Sequence, residues 1–305
     1  MTEQDGTVEY PLLVHHAASG GHNHPPNSLQ ALRACLEVGA RAIEVDISPL
    51  ADGDFLLFHN SRLEDGTDGS GLVSVHTACE VSQLHYTWQG EEDVEPVGLL
   101  NQALELVRHH PHPVELQLDL KPYAPLTDQL LIGLLRAVEP VKERIRVSSP
   151  ADWAVRRLRT LDADLPLGFD PILYFDIGPV GERNPQMPPF RMGEYGYWDD
   201  HPLASRRWGE PAEYLAARAD ALWIQAPPGA IWYIPAHTLA HAFDDGFDWI
   251  ADLHRRGAEV DAWTLDPDRP EHVTLARRLI AAGVNRITTN DAPAMAATLD
   301  NTVVF

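Results

Sequence analysis

Apolar and polar residues alternate strictly in two stretches of the chain, and both read as strands. Over residues 41–59, Ile43, Val45 and Ile47 alternate with Glu44, Asp46 and Ser48. Over 114–121, Leu116, Leu118 and Leu120 alternate with Glu115, Gln117, Asp119 and Lys121. A period of two places the apolar side chains on one face and the polar ones on the other. Short apolar runs at 12–14, 144–148, 165–169, 221–225, 260–264 and 285–289 read as six further strands. Helical spacing predicts helices after each: 29–38, 99–109, 126–138, 151–161, 212–219, 238–256, 271–282 and 294–299. Asn27 or Ser28 is placed to cap the first helix and Gly39 to stop it.

Eight strands, each trailed by a helix, predict a (β/α)₈ TIM barrel over residues 1–305, with a long insertion at 170–208 after strand five. A doubly wound open sheet is the alternative, but no Gly-x-Gly-x-x-Gly turn follows the first strand. Barrels collect their chemistry at the C-terminal ends of the strands. His15 and His16 end strand one, Glu44 and Asp46 lie toward the end of strand two, and His59 follows it. Asp119 and Lys121 end strand three, Ser148 and Ser149 strand four, Trp263 and Thr264 strand seven, and Thr289, Asn290 and Asp291 strand eight. Two carboxylates side by side on one strand repel each other and lose hydration. A hard cation between them, Mg²⁺ or Ca²⁺, is the usual remedy.

Composition narrows the partners. The chain carries 45 acidic against 23 basic residues, a net charge of −22, which argues against nucleic acid and against an anionic membrane surface. Two cysteines provide no disulfide framework and suit a reducing compartment. With no secretion signal at the start and no apolar run of membrane-spanning length, a cytoplasmic location is expected. The 170–208 segment holds Tyr174, Phe175, Phe190, Tyr195, Tyr197, Trp198 and Trp208 together with Arg183 and Arg191. It is expected to cap the substrate pocket, or else to form a homo-oligomer contact.

The motifs, in order, resemble those of the glycerophosphodiester phosphodiesterase family. His15-His16-Ala17-Ala18-Ser19-Gly20 resembles that family's His-Arg-Gly loop, and Pro25-Pro26-Asn27-Ser28 its Pro-Glu-Asn-Thr helix start. Glu44-Val45-Asp46 matches Glu-Leu-Asp. Asp52-Gly53 through Phe58-His59-Asn60 matches the Asp-Gly…His-Asp segment, and Asp119-Leu120-Lys121-Pro122 is similar to Glu-x-Lys-Pro. Trp263-Thr264-Leu265 is similar to Trp-Thr-Val, and residues 283–290 to the closing Gly-Val-Asp-x-Ile-x-Thr-Asp. The resemblance implies a TIM barrel that uses a divalent cation to hydrolyse a small-molecule or lipid-derived phosphodiester. Glu44, Asp46 and Asp119 would hold the metal, His15 and His59 would be the general acid/base pair, and His16, Lys121 and Trp263 would meet the substrate.

Four departures accompany the match: His16 for arginine, Pro26 for glutamate, Asn60 for aspartate and Asp119 for glutamate. They bear on the substrate more than on the chemistry, since an arginine forks a phosphate where a histidine cannot. Two other readings stand beside glycerophosphodiester hydrolysis: phospholipase D-like cleavage of a lysolipid, and a non-catalytic barrel that binds. A third, an amidohydrolase built on His22 and His24, lacks enough nitrogen ligands for zinc.

Overall fold

Strand register closes the sheet on itself. The computed structural model describes residues 11–89, 91–121, 124–177, 191–300 and 303–305. Its parallel strands are β1 (Leu12–His15), β2 (Ala42–Pro49), β3 (Glu115–Leu120), β4 (Ile145–Ser149), β5 (Leu167–Phe169), β6 (Ile231–Pro235), β7 (Val260–Trp263) and β8 (Arg286–Thr289). Each pairs with the next, and β1 pairs with both β8 and β2, so no barrel edge is left open. This is the predicted (β/α)₈ barrel.

The alternation seen in the sequence becomes an outside and an inside. Ile43, Val45, Ile47, Leu116, Leu118 and Leu120 join the main core between sheet and helices. Their polar neighbours point into the barrel. All eight residues of β2 are buried, because the inner face is enclosed by the other strands rather than wetted. Helix starts follow the sequence: Ser28, not Asn27, caps the helix Leu29–Glu37 by accepting from Ala31 N–H at 3.1 Å.

One predicted strand is displaced. Residues 221–225 were expected to form strand six, yet the helix Pro211–Trp223 runs through most of them, and the sixth strand is Ile231–Pro235. Tyr214, Leu215, Arg218, Ala219 and Leu222 are its buried residues, a helical spacing, so the apolar run at its end is a helix face. The predicted 238–256 helix is two, Ala236–Asp244 and Trp249–Arg255, broken at Gly246, whose φ of +86° favours glycine.

Between β2 and β3 the chain builds a small subdomain that the periodicity did not foretell. The strand Phe55–Leu57 pairs antiparallel with the end of β2. Leu50, Leu56, Phe58, Leu63, Val73, Val81, Tyr86 and Val97 form a second core under it. In the 170–208 segment, Phe175 stacks on Tyr197 and Tyr195 on Tyr214, at ring distances of 4.8 and 4.3 Å. These rings belong to the main core. Phe190 and Arg183 lie outside the described residues.

The barrel floor is charged. Glu115 accepts from Arg146 at 2.9 Å and from Arg286 at 2.5 Å. Nearby Asp261 accepts from the Thr288 hydroxyl at 2.9 Å, while its Oδ2 has no partner among the described residues. Burial pushes the Asp261 carboxyl up from 3.8 to about 7, against the opposing pull of Thr288 and Arg286. The folded protein therefore holds this proton where the unfolded chain has lost it. Stability from this group falls as pH rises between about 4 and about 7 and stays low above. Asp261→Asn is expected to raise Tm by a few degrees at pH 8, with the gain shrinking toward pH 5. Melting curves of both proteins across that range check it; a gain that grows toward acid pH would refute the sign.

Candidate active site

Three carboxylates meet at the C-terminal end of the barrel. Glu44 and Asp46 come from β2 and Asp119 from β3, with Asp46 directly beside Asp119 in the register. One oxygen from each lies within 4.8 Å of the others. Glu44 and Asp46 are only 4% and 3% exposed. Burial, and then the charges of Asp46 and Asp119, hold the Glu44 carboxyl well above the usual carboxylate range. For Asp46, burial also pushes upward, but Lys121, His59, His16 and an Asn27 hydrogen bond together outweigh it and bring the group below its ordinary value.

Each carboxylate is held from outside the cluster. Ala17 N–H donates to Glu44 Oε2 at 2.7 Å. Asn27 Nδ2 donates to Asp46 Oδ2 at 2.8 Å. Ser148, at the end of β4, donates to Asp119 Oδ1 at 2.9 Å and accepts from Gln117 at 3.0 Å. Lys121 Nζ lies 3.3 Å from Asp46 Oδ1 and pairs with Asp119. An all-oxygen donor set with this much uncompensated negative charge fits a hard divalent cation.

Among the described residues, the histidine charges that reach Asp46 are those of His16 and His59. His16 Nε2 lies 4.0 Å from Glu44 Oε2, and its Nδ1 lies 2.7 Å from Asn290 Oδ1. Asn290 in turn gives its Nδ2 hydrogen to Asp266 at 2.8 Å, which fixes the amide with oxygen toward the ring. His16 Nδ1 must therefore be the donor, leaving Nε2 as the nitrogen on the Glu44 side. His59 repeats the device. Its Nδ1 lies 3.1 Å from Asn60 Oδ1, and Asn60 Nδ2 donates to the Asp65 carbonyl at 3.0 Å. Asn60 thus orients His59 although it is not the aspartate of the family motif.

His15 is not brought to the site. It pairs in register with Ile43, on the outward parity of Leu13, and is fully buried. Its Nδ1 lies 3.1 Å from the Ser19 carbonyl and 3.5 Å from Cys35 Sγ, and its ring meets Phe305 edge-on. Burial lowers its pKa, and the charges that reach it are those of His22 and Asp291. The physical reason is parity: of two adjacent residues leaving a strand, one faces out. The turn His16–Ala18 then swings His16 inward. Trp263 ends β7 half-buried on the inward parity of Asp261. His22 and His24 sit in the loop after β1, bonded to the Ala18 carbonyl and to Glu95.

Asn27, Asn290 and Asp266 complete the site without having been singled out for it. Asn290 was visible at the rim of β8, but its partner Asp266 is 24 residues away, and no local pattern links them.

Comparison with known proteins places the chain in a family. A sequence model of the Glycerophosphoryl diester phosphodiesterase family matches residues 15–169, half of the chain. The chain belongs to that family. Among curated relatives, the probable glycerophosphodiester phosphodiesterase 1 of Mycobacterium tuberculosis is 27% identical over 181 residues, 53% of this chain and 66% of that protein. The glycerophosphodiester phosphodiesterase of Caldanaerobacter subterraneus is 25% identical over 161 residues, covering 52% and 65%. The matched stretch thus spans just under two thirds of these relatives. Among solved structures, a putative glycerophosphoryl diester phosphodiesterase from Silicibacter pomeroyi superposes with a TM-score of 0.67 at 19% identity, covering 97% of this chain and 95% of that one. An Oleispira antarctica phosphodiesterase, solved with the product sn-glycerol-3-phosphate, gives 0.64 at 20% identity, covering 95% and 97%. These structural likenesses establish the shared barrel.

Proposed function

We propose that the protein hydrolyses a glycerophosphodiester-like substrate to a phosphomonoester and an alcohol, using a divalent cation, Mg²⁺ or Ca²⁺. The observation that carries this is the convergence of Glu44, Asp46 and Asp119 within 4.8 Å, beside two histidines whose Nε2 atoms are left for proton transfer. A cation held by those carboxylates supplies Lewis-acid polarisation of a phosphoryl oxygen. His16 and His59 divide the proton work: one takes a proton from the attacking water, the other gives one to the leaving alkoxide, so that diester and water become phosphomonoester and alcohol. Lys121 adds positive charge where negative charge develops.

This reading moves the acid/base role from His15 to His16. It also moves the family's His-Arg-Gly one residue along, onto His16-Ala17-Ala18. Ala17 and Ala18 are both left-handed, with φ of +49° and +52°, so the backbone suits the motif's glycine at either position; on this reading Ala17 stands where the motif has arginine. No guanidinium then forks the phosphate from this loop, so Lys121 and the histidines carry more of its recognition. Trp263 walls the pocket on the β7 side. The described start of the 170–208 segment follows β5 at the carboxylate end, where Asp170 feels the charges of Asp119 and Lys121 and borders the pocket.

The test is hydrolysis of glycerophosphocholine, lysophosphatidylcholine and an aryl phosphodiester, each with EDTA and with Mg²⁺ or Ca²⁺ restored. Turnover of glycerophosphocholine that EDTA stops and a cation restores is expected. Preference for lysophosphatidylcholine would replace the substrate assignment, and no cation-dependent turnover of any substrate would remove the activity.

A further inference from the structure

Asn27 joins the two buried carboxylates of β2 through one loop. Its side chain closes a two-bond ring with Asp46: Asp46 N–H donates to Asn27 Oδ1 and Asn27 Nδ2 donates to Asp46 Oδ2, both at 2.8 Å. Its own N–H donates to the Ala17 carbonyl at 2.7 Å, and Ala17 N–H holds Glu44 Oε2 at 2.7 Å. Asp46, Asn27, Ala17 and Glu44 thus form one continuous hydrogen-bonded chain. The Tyr86 hydroxyl ties the loop to the subdomain, reaching the Asn27 carbonyl at 3.3 Å and the Leu57 carbonyl at 2.7 Å.

Three demands meet at this position, and asparagine answers all of them. The backbone is left-handed, φ +65°, which asparagine tolerates better than other residues with a Cβ. The side chain must accept from an N–H and donate to a carboxylate at once, which an amide does and a carboxylate does not. The position is 5% exposed, so a lost partner is not replaced by bulk water. With Oδ2 held by Asn27 and Oδ1 facing Lys121, the Asp46 carboxylate has little freedom to rotate.

We propose that Asn27 is a positioning residue for the cation: it holds Asp46 directly, and Glu44 through Ala17, in the orientation that binds a divalent metal. The proposal rests on the cation site assigned above and deepens it. Residues that orient metal ligands typically change affinity about 10–100-fold when removed. Asn27→Gly keeps the left-handed backbone and removes both side-chain bonds. It is expected to weaken Mg²⁺ or Ca²⁺ binding, measured by calorimetry on the folded protein, by about 10–100-fold. Hydrolysis followed across cation concentrations should show half-saturation shifted to higher cation by a similar factor, a readout that a purely structural role would not move.

Asn27→Ser is the milder variant: its single hydroxyl can accept from the Asp46 N–H or donate to the Asp46 carboxylate, but is too short to span both as the amide does. It is expected to weaken binding several-fold, and it decides the matter if the glycine variant does not fold. A purely structural role would lower Tm in both variants and leave the cation Kd unchanged, and that result overturns the proposal while the cation site stands. If wild type itself binds neither cation, the site and the proposal fall together.

Discussion

Replacing His16 by alanine is expected to lower kcat/KM toward a phosphodiester by about 10²–10⁴-fold, the usual worth of one positioned proton transfer. His59→Ala should cost a similar factor, because both rings present Nε2 and both are held at Nδ1 by an asparagine oxygen. His15→Ala is expected to do something different. Its ring is fully buried against Cys35 and Phe305 on the outer side of the barrel, so its loss opens a cavity. The cost is about 1–3 kcal/mol of stability, read as a Tm lower by a few degrees, with kcat/KM changed much less. Steady-state kinetics and melting curves on the three variants separate the two roles. A His15→Ala protein that folds normally but has lost activity, beside an active His16→Ala, would return the role to His15.

The second large effect concerns Glu44, where function and stability should move in opposite directions. Glu44→Gln keeps the shape and an acceptor for Ala17 N–H while removing the charge. Losing the cation's polarisation of the phosphoryl group costs several kcal/mol in the transition state, which is about 10³-fold in rate. The same change should stabilise the protein when no cation is present. Burial and the neighbouring Asp46 and Asp119 charges hold the Glu44 carboxyl well above its ordinary value. The folded state therefore favours the protonated form, and ionisation at neutral pH works against folding. Glutamine removes that penalty. In EDTA the variant should melt above wild type. On adding Mg²⁺ or Ca²⁺ the wild-type Tm should rise, since a ligand that binds only the folded state stabilises it, and the variant's should not. A cation-induced rise of equal size in both proteins would show that Glu44 is not a ligand.

The sequence made the carboxylate cluster legible because two strands with strict alternation each carry their polar residues on one face. Once β2 and β3 lie side by side, Asp46 must meet Asp119. The same alternation should have separated His15 from His16, since neighbours on a strand face opposite ways. The motif likeness was read there without the parity. Strand six was missed for another reason. Ile231-Trp232-Tyr233-Ile234 is short, and a competing apolar run at 221–225 lies just before it, where only the contacts of Leu215, Ala219 and Leu222 reveal a helix. The subdomain between β2 and β3 was opaque because its core residues are spaced irregularly through short 3₁₀ turns and bridges. Hydrogen bonds such as Asn290 to Asp266 join positions far apart in the chain, and no periodic signal encodes them.

The central claim is cation-dependent hydrolysis of a phosphodiester at the Glu44, Asp46 and Asp119 cluster. Phosphorus NMR of a glycerophosphocholine reaction, run with purified wild type and with Glu44→Gln, tests it most directly. With wild type, the account predicts that the diester signal gives way to a phosphomonoester signal only when Mg²⁺ or Ca²⁺ is present, and that Glu44→Gln leaves the diester essentially intact. A phosphomonoester forming equally fast in EDTA, or equally fast with Glu44→Gln, would contradict it.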